Sequence, residues 1–237
     1  MYSRETEEKA RKDLIEVARL CYRRGYICGM EGNFSIKLDN ERILTTPSGT
    51  CKARIEPSDL IITDLEGKPA SQSSRKPSTE IAIHLTAYKN RPDAAAVVHA
   101  HPTTAVGFTV AGMKLDKCVL PEVVCTLGRI PVAPYATPST GELSDSIADI
   151  IRDHDAVVLD HHGALTIGND IWDAYYKMET LEHYAQTMLV AHMLGGVQPL
   201  RSSQVEKLLD ICGVYGLQKP RGAEFLLSSA CSAPDGD

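Results

Sequence analysis

The residues best suited to chemistry lie in Val97-Val98-His99-Ala100-His101-Pro102. On an extended strand, residues i and i+2 project from the same face. His99 and His101 therefore present two imidazoles side by side, a geometry that chelates one metal ion. Pro102 removes an N–H and ends the strand, which leaves the pair at its exit. A second candidate lies in Val157-Val158-Leu159-Asp160-His161-His162-Gly163. Neighbouring strand residues face opposite sides, so at most one of His161 and His162 joins the first pair, and spacing alone does not choose between them. His84, His154, His183 and His192 fall in helical or exposed contexts and read as structural or solvated.

A third element is Arg75-Lys76-Pro77-Ser78-Thr79-Glu80. If a helix starts here, the Ser78 and Thr79 hydroxyls and free backbone N–H groups form an anion site. The same residues also describe a plain capped helix with Glu80 in its first turn, favoured by the macrodipole. Two loops, Glu31-Gly32-Asn33-Phe34-Ser35 and Thr46-Pro47-Ser48-Gly49, combine glycine with small polar residues. Glycine lets backbone approach a ligand and Asn, Ser and Thr supply donors, although each loop alone is an ordinary turn.

The elements that must hold these residues alternate along the chain. A helix is expected over 5–24, from the stripe Leu14, Val17, Ala18 and Cys21 with Gly25 as its stop. A hairpin follows over 34–38 and 42–46, then a short strand at 60–64. The pattern predicts a helix over 79–88 capped by Ser78, a strand at 94–99 and a short helix at 103–111. It further predicts a strand within 123–133, a helix over 140–153, a strand over 156–167, and helices over 171–194 and 204–212. The Ser/Ala/Gly/Asp-rich tail 228–237 reads as frayed and disordered. This is one α/β domain over 1–227, with a central, mostly antiparallel sheet flanked by helices.

Composition excludes several functions. The 237 residues carry 25 Lys+Arg against 31 Asp+Glu, a net charge of −6. That balance speaks against a broad nucleic-acid surface but not against one small anion held by loop N–H groups. The charged first residues are not a signal peptide, no stretch approaches the ~20 apolar residues that span a membrane, and no phosphate-loop or dinucleotide motif is present. Seven cysteines without a C-x-x-C pair read as reduced thiols of a cytoplasmic protein.

The order of the motifs is more informative than any one of them. A G-N-x-S loop (Gly32-Asn33-Phe34-Ser35), then Thr46-Pro47-Ser48-Gly49, Lys76-Pro77-Ser78-Thr79-Glu80, His99-Ala100-His101 and His161-His162-Gly163 resembles the class II zinc-dependent aldolase family. That family joins fuculose- and rhamnulose-1-phosphate aldolases with ribulose-5-phosphate 4-epimerases and the adducin head domain. The resemblance runs from about residue 10 to 218 and includes 130–137 and Val214-Tyr215-Gly216-Leu217.

The resemblance implies a three-layer α/β/α fold and a homotetramer with active sites between subunits. It implies one Zn²⁺ per chain on His99, His101 and His162, with Glu80 as a further ligand and the acid–base group. Gly32, Asn33, Ser48, Gly49, Ser78 and Thr79 match the family's phosphate cradle, and Tyr215 matches a C-terminal tyrosine near its active site. The implied reaction is retro-aldol cleavage of a short ketose 1-phosphate to dihydroxyacetone phosphate and an aldehyde, with the metal as Lewis acid. A deoxy or methylthio pentulose 1-phosphate is a candidate substrate. Glu at position 80 matches the aldolases, whereas the 4-epimerases carry Asp there. The alternatives are a sugar-phosphate epimerase, dehydratase or decarboxylase with the same metal, or an adducin-like module without it. Two departures stand out: Met30-Glu31 where the cradle often opens with a hydroxyl residue, and Leu120, followed by Glu122, where the fuculose enzymes carry a tyrosine.

Overall fold

The computed structural model describes residues 4–71, 75–215, 218–228 and 231–233. It opens with helix α1 (Arg4–Arg23), whose Leu14, Val17, Ala18 and Cys21 are fully buried. Strands β1 (Asn33–Lys37), β2 (Ile43–Thr45) and β3 (Ile61–Thr63) follow, then α2 (Ile81–Asn90), β4 (Ala96–Ala100) and α3 (Thr103–Val110). Next come α4 (Pro121–Thr126), β5 (Val132–Ala133), α5 (Gly141–Ala148), α6 (Ile150–Asp153) and the pair β6 (Ala156–Leu159) and β7 (Gly163–Gly168). Helices α7 (Ile171–Met193), α8 (Ser202–Ile211) and α9 (Ala223–Ser228) complete it.

The strands form one sheet in the order β3-β2-β1-β4-β7-β6-β5, antiparallel at every pairing except β5 with β6. Period-two alternation sends successive β4 side chains to opposite layers. Ala96, Val98 and Ala100 join a core with α1, α3 and α7 residues such as Leu14, Phe108 and Met178. Val97 joins the other core, with Ile83, Ala87 and Tyr88 of α2 and Leu143 and Ile147 of α5. The three-layer arrangement is thus the expected one. His99 shares Val97's face, so it looks toward the α2 layer.

Three local expectations are corrected. Residues 123–133 hold a helix and then a two-residue strand instead of one strand. Pro121 suits the first helical turn, and burial of Val123, Val124 and Cys125, the latter two packed with Val205 and Leu209 of α8, overrides the β preference of the valines. Residues 156–167 are two strands around a turn, in which His161 takes the left-handed conformation with φ 55°. Helix α2 begins at Ile81, two residues late; the Ser78 hydroxyl still accepts a backbone N–H, from Glu80 at 3.2 Å.

The reduced-thiol reading also fails for two cysteines, because Cys118 and Cys231 form a disulfide. Within the tail expected to fray, 231–233 are tied down: Cys231 is buried, and Ala233 donates its N–H to Leu200 O at 2.8 Å. Residues 229–230 and 234–237 lie outside the described residues. Among the described residues, no helix is long and apolar enough to cross a membrane.

Helix α3 starts directly after the His99–Pro102 segment, and Pro102 has no side-chain group to cap it. The buried Glu182 carboxylate of α7 does so instead, accepting the N–H of Thr104 at 2.9 Å and of Ala105 at 3.0 Å. Replacing Glu182 by Ala leaves both donors unbonded in an apolar setting. We expect a loss of about 2–3 kcal/mol in urea unfolding; an unchanged midpoint would contradict this role for Glu182.

Candidate metal centre and active site

Strand register brings the site residues together. His99 lies opposite Asn33 on β1 and opposite Leu165 on β7, one step from Ala100 opposite Ala164. His101 follows at the strand exit. The β6–β7 turn supplies the third imidazole: left-handed His161 donates its backbone N–H to Thr109 Oγ1, its half-exposed ring pairs with Asp160, and His162 swings toward β4. The choice that spacing left open therefore falls on His162. The rings of His99, His101 and His162 have centroids 4.9–5.0 Å apart and mutual tilts of 63–64°, a near-threefold propeller.

Gly163 makes this packing possible. A Cβ there would lie 2.6 Å from Ala100 O, 2.7 Å from the His101 ring and 3.0 Å from the His99 ring. Gly32 is constrained as well, since its φ of 69° and the 2.5 Å approach of a Cβ to Ile27 both exclude a side chain.

Donor arithmetic tests whether a metal fits. His99 Nδ1–H donates to Ala164 O at 3.0 Å, so His99 Nε2 bears a lone pair. That lone pair lies 3.2 Å from His101 Nε2 and 3.3 Å from Glu80 Oε2. His162 Nε2 lies 3.2 Å from Glu80 Oε1, while its buried Nδ1 has no partner. His99 Nε2 and Glu80 Oε2 thus face each other as acceptors, and a divalent cation among the three rings resolves that conflict. The donor set, three histidines with an open edge, is that of a catalytic metal site. Among the described residues, these three histidines are the group whose donor atoms lie close enough together, within 4.8 Å, to hold an ion.

The local electrostatics agree. Burial would raise the Glu80 carboxyl, but the His162 and His99 rings beside it outweigh burial and hold the group well below the carboxylate range. Burial, then neighbouring His99 and His162, pushes His101 down to about 3, so its ring is neutral and able to ligate at pH 7. Glu31, flagged as a departure, points its Oε2 toward His101 Nδ1 at 3.5 Å and accepts the Cys28 N–H at 3.2 Å. Its carboxylate thus stands behind a candidate ligand.

A cleft of about 350 Å³ opens onto this centre, lined by Gly32, Asn33, Ser48, Gly49, Ser78 and Thr79 together with Glu80, His101 and His162. Every candidate cradle residue is therefore beside the histidines. The Ser48 N–H donates to Lys76 O at 2.9 Å, and an antiparallel bridge joins Pro47 to Pro77, so the two loops form one wall. Sequence reading missed Lys52, which also lines the cleft. This lysine is 3% exposed, donates to Met30 O at 2.6 Å, and has no ion-pair partner among the described residues. A lone lysine in a three-residue 3₁₀ segment carries no periodic signal that would have found it.

Other expectations fare differently. Leu120 and Glu122 do not line the cleft; α4 packs on α8 instead. The Tyr215 side chain and residues 216–217 lie outside what is described. A larger cavity of about 520 Å³ lies by Ala94 and Gly168, at the other ends of β4 and β7. Its charges are mutually spent: Arg91 bonds Asp93 and Asp155, and Lys177 bonds Asp155 and Asp173.

His99→Ala should reduce bound divalent metal from about one per chain to near zero while circular dichroism stays native. Gly163→Val, which touches no ligand chemically, should do the same by displacing two rings. Full metal content in either variant, measured by elemental analysis, would contradict the site.

Comparison with known proteins agrees with the geometry. The chain is 30% identical over 199 residues to a 3-oxo-tetronate 4-phosphate decarboxylase of Escherichia coli O6:H1, covering 82% of this chain and 91% of that one. It is 34% identical over 182 residues to an L-fuculose phosphate aldolase of Methanococcus maripaludis, covering 77% and 97%. The crystal structure of YgbL from Escherichia coli, a putative aldolase/epimerase/decarboxylase, superposes with a TM-score of 0.78 at 29% identity, covering 85% and 98%. Residues 12–189 match the model of the class II aldolase and adducin N-terminal domain, and the chain belongs to that family.

Proposed function

We propose that the protein is a zinc-dependent lyase that cleaves a carbon–carbon bond next to the keto-bearing unit of a short phosphorylated sugar. Retro-aldol cleavage of a ketose 1-phosphate is the leading reaction. One observation carries the reading: the Glu80 carboxylate spans His99 and His162 at 3.3 and 3.2 Å and faces a cleft lined with N–H, hydroxyl and ammonium donors.

A divalent ion held by His99, His101 and His162, with Glu80, supplies Lewis acidity that stabilises negative charge on substrate oxygen. Zinc fits three imidazoles, although availability also selects the metal. Glu80 stays ionised at neutral pH and so acts as a base in the condensation direction, taking the proton from the carbon beside the keto group; in cleavage it returns that proton once it has itself been protonated. The Ser48–Gly49 and Ser78–Thr79 walls hold the phosphate by N–H and hydroxyl groups and fix the reacting carbons, a contribution of orientation. Lys52 adds a buried positive charge at the cleft. A buried ammonium without a counter-ion is costly, and a substrate anion supplies that counter-ion.

A second reading, decarboxylation of a 3-oxo sugar acid phosphate, has a specific observation in its favour. Departing CO₂ takes no proton with it, whereas a departing aldehyde requires a second acid–base group. Leu120 and Glu122 lie away from the cleft in this chain, and the carboxylates that line it are Glu80, against His99 and His162, and Glu31, behind His101. For the aldolase reading, a neighbouring chain would supply the second group. We accordingly propose a homotetramer with sites between subunits, supported by exposed Val190, Met193 and Leu194 at the end of α7. A fully active monomer in light scattering would contradict that assembly.

The deciding experiment is a panel of ketose 1-phosphates, pentulose 5-phosphates and 3-oxo-tetronate 4-phosphate, scored for dihydroxyacetone phosphate and CO₂. The aldolase reading expects dihydroxyacetone phosphate release. CO₂ release alone favours the second reading, and isomerised or dehydrated product displaces both. On whichever substrate turns over, Glu80→Gln should lower kcat by about 100-fold or more. Lys52→Met should chiefly raise KM, and unchanged kinetics in either variant would contradict the role given to that residue.

A further inference from the structure

Glu80 ends a chain of buried polar side chains running between β1 and α2. Its Oε2 accepts Asn33 Nδ2–H at 3.1 Å. Asn33 Oδ1 lies 2.5 Å from His84 Nε2, His84 Nδ1 lies 2.7 Å from Ser35 Oγ, and Ser35 Oγ lies 2.7 Å from the Tyr88 hydroxyl. Ser35 and His84 are completely buried, and Asn33 and Tyr88 are 3% and 5% exposed. No water-facing group relieves a wrong assignment of hydrogens here.

The assignment follows from one fact: a carboxylate only accepts. Asn33 must therefore turn its amide nitrogen to Glu80 and its oxygen to His84. That oxygen needs a donor, so His84 Nε2 carries the hydrogen, and complete burial, which keeps the ring neutral, leaves the lone pair on Nδ1. The Ser35 hydroxyl then donates to His84 Nδ1 and accepts from the Tyr88 hydroxyl. Each contact has a donor and an acceptor, and reversing any one leaves two donors or two acceptors face to face. An amide does not pass on protons as a hydroxyl does, so the chain orients groups and does not conduct.

We infer that His84 is a positioning residue: its fixed Nε2–H tautomer sets the Asn33 amide, and that amide aims the Glu80 carboxylate at the histidine cluster. The inference rests on the reading of Glu80 as the acid–base group. It also assigns Asn33 two tasks. One amide N–H is committed to Glu80, and the other remains for a substrate in the cleft that Asn33 lines. Substrate binding and the aim of the carboxylate thus share one side chain.

The first readout needs no substrate. Long-range ¹H–¹⁵N correlation spectra of the full-length protein should show neutral His84 with hydrogen on Nε2, and the Nδ1–H tautomer or a charged ring would overturn the inference. The second uses Co²⁺-loaded protein, whose visible spectrum reports the ligand field. His84→Leu should keep Co²⁺ stoichiometry, change that spectrum and lower kcat about 10–100-fold with little change in KM. His84→Gln restores an N–H near the Nε2 position and should recover most of both. Wild-type spectrum and kcat in His84→Leu, or Gln behaving as Leu does, would overturn the inference. If His84→Leu does not fold, Ser35→Ala serves: loss of the Nδ1 donor should populate the other tautomer and lower kcat, and a wild-type tautomer and kcat would contradict the chain. Should Glu80→Gln itself leave turnover intact, the proposed reaction mechanism falls while the tautomer result still stands or falls alone.

Discussion

Everything in this structure turns on one crowded point, where three imidazoles and a carboxylate meet at the end of β4. His99 spends its one hydrogen on Ala164 O, and its remaining nitrogen faces His101 and Glu80 at 3.2 and 3.3 Å. Buried acceptors facing acceptors are unfavourable by several kcal/mol unless a cation joins them. The fold supplies that convergence by register alone: Asn33, His99 and Leu165 lie abreast on β1, β4 and β7.

The scaffold absorbs the strain of holding such a site. Gly163 gives up a side chain so that two rings can pass, His161 adopts a left-handed conformation so that His162 can return, and Glu182 caps a helix that Pro102 cannot. The polar chain from Tyr88 to Glu80 then replaces apolar packing on one face of β1, and it does so with every buried polar atom bonded. A half-satisfied network would be worse than an apolar core. The positions that look least economical for stability are those that aim groups at the metal centre.

Much of this was legible from the residues because period-two geometry is strict. His99 and His101 had to share a face, and the ordered motifs pointed to the cradle residues that the cleft now gathers. His162 was not separable from His161, since residues 156–167 read as one strand and the turn between β6 and β7 has no glycine or proline to announce it before Gly163. His84 was read as ordinary because a histidine on an amphipathic helix carries no sign of its partners; those partners lie on β1, some fifty residues earlier. Lys52 was missed for the same reason, and α4 because valines favour strands until tertiary burial decides otherwise. The cysteines paired across a separation of 113 residues, a contact no spacing rule encodes.

Around the histidine cluster of this chain stand a carboxylate at Glu31 behind His101 and an ammonium at Lys52, with no described tyrosine in the cleft. Aldol cleavage and decarboxylation both leave negative charge on the oxygen beside the broken bond, so one centre serves either. The identity of that centre is tested most directly by zinc K-edge X-ray absorption on the loaded protein. The account predicts only nitrogen and oxygen neighbours at ~2.0–2.2 Å, with outer scattering from three imidazoles. A sulfur shell at ~2.3 Å, or fewer than three imidazoles, would contradict it.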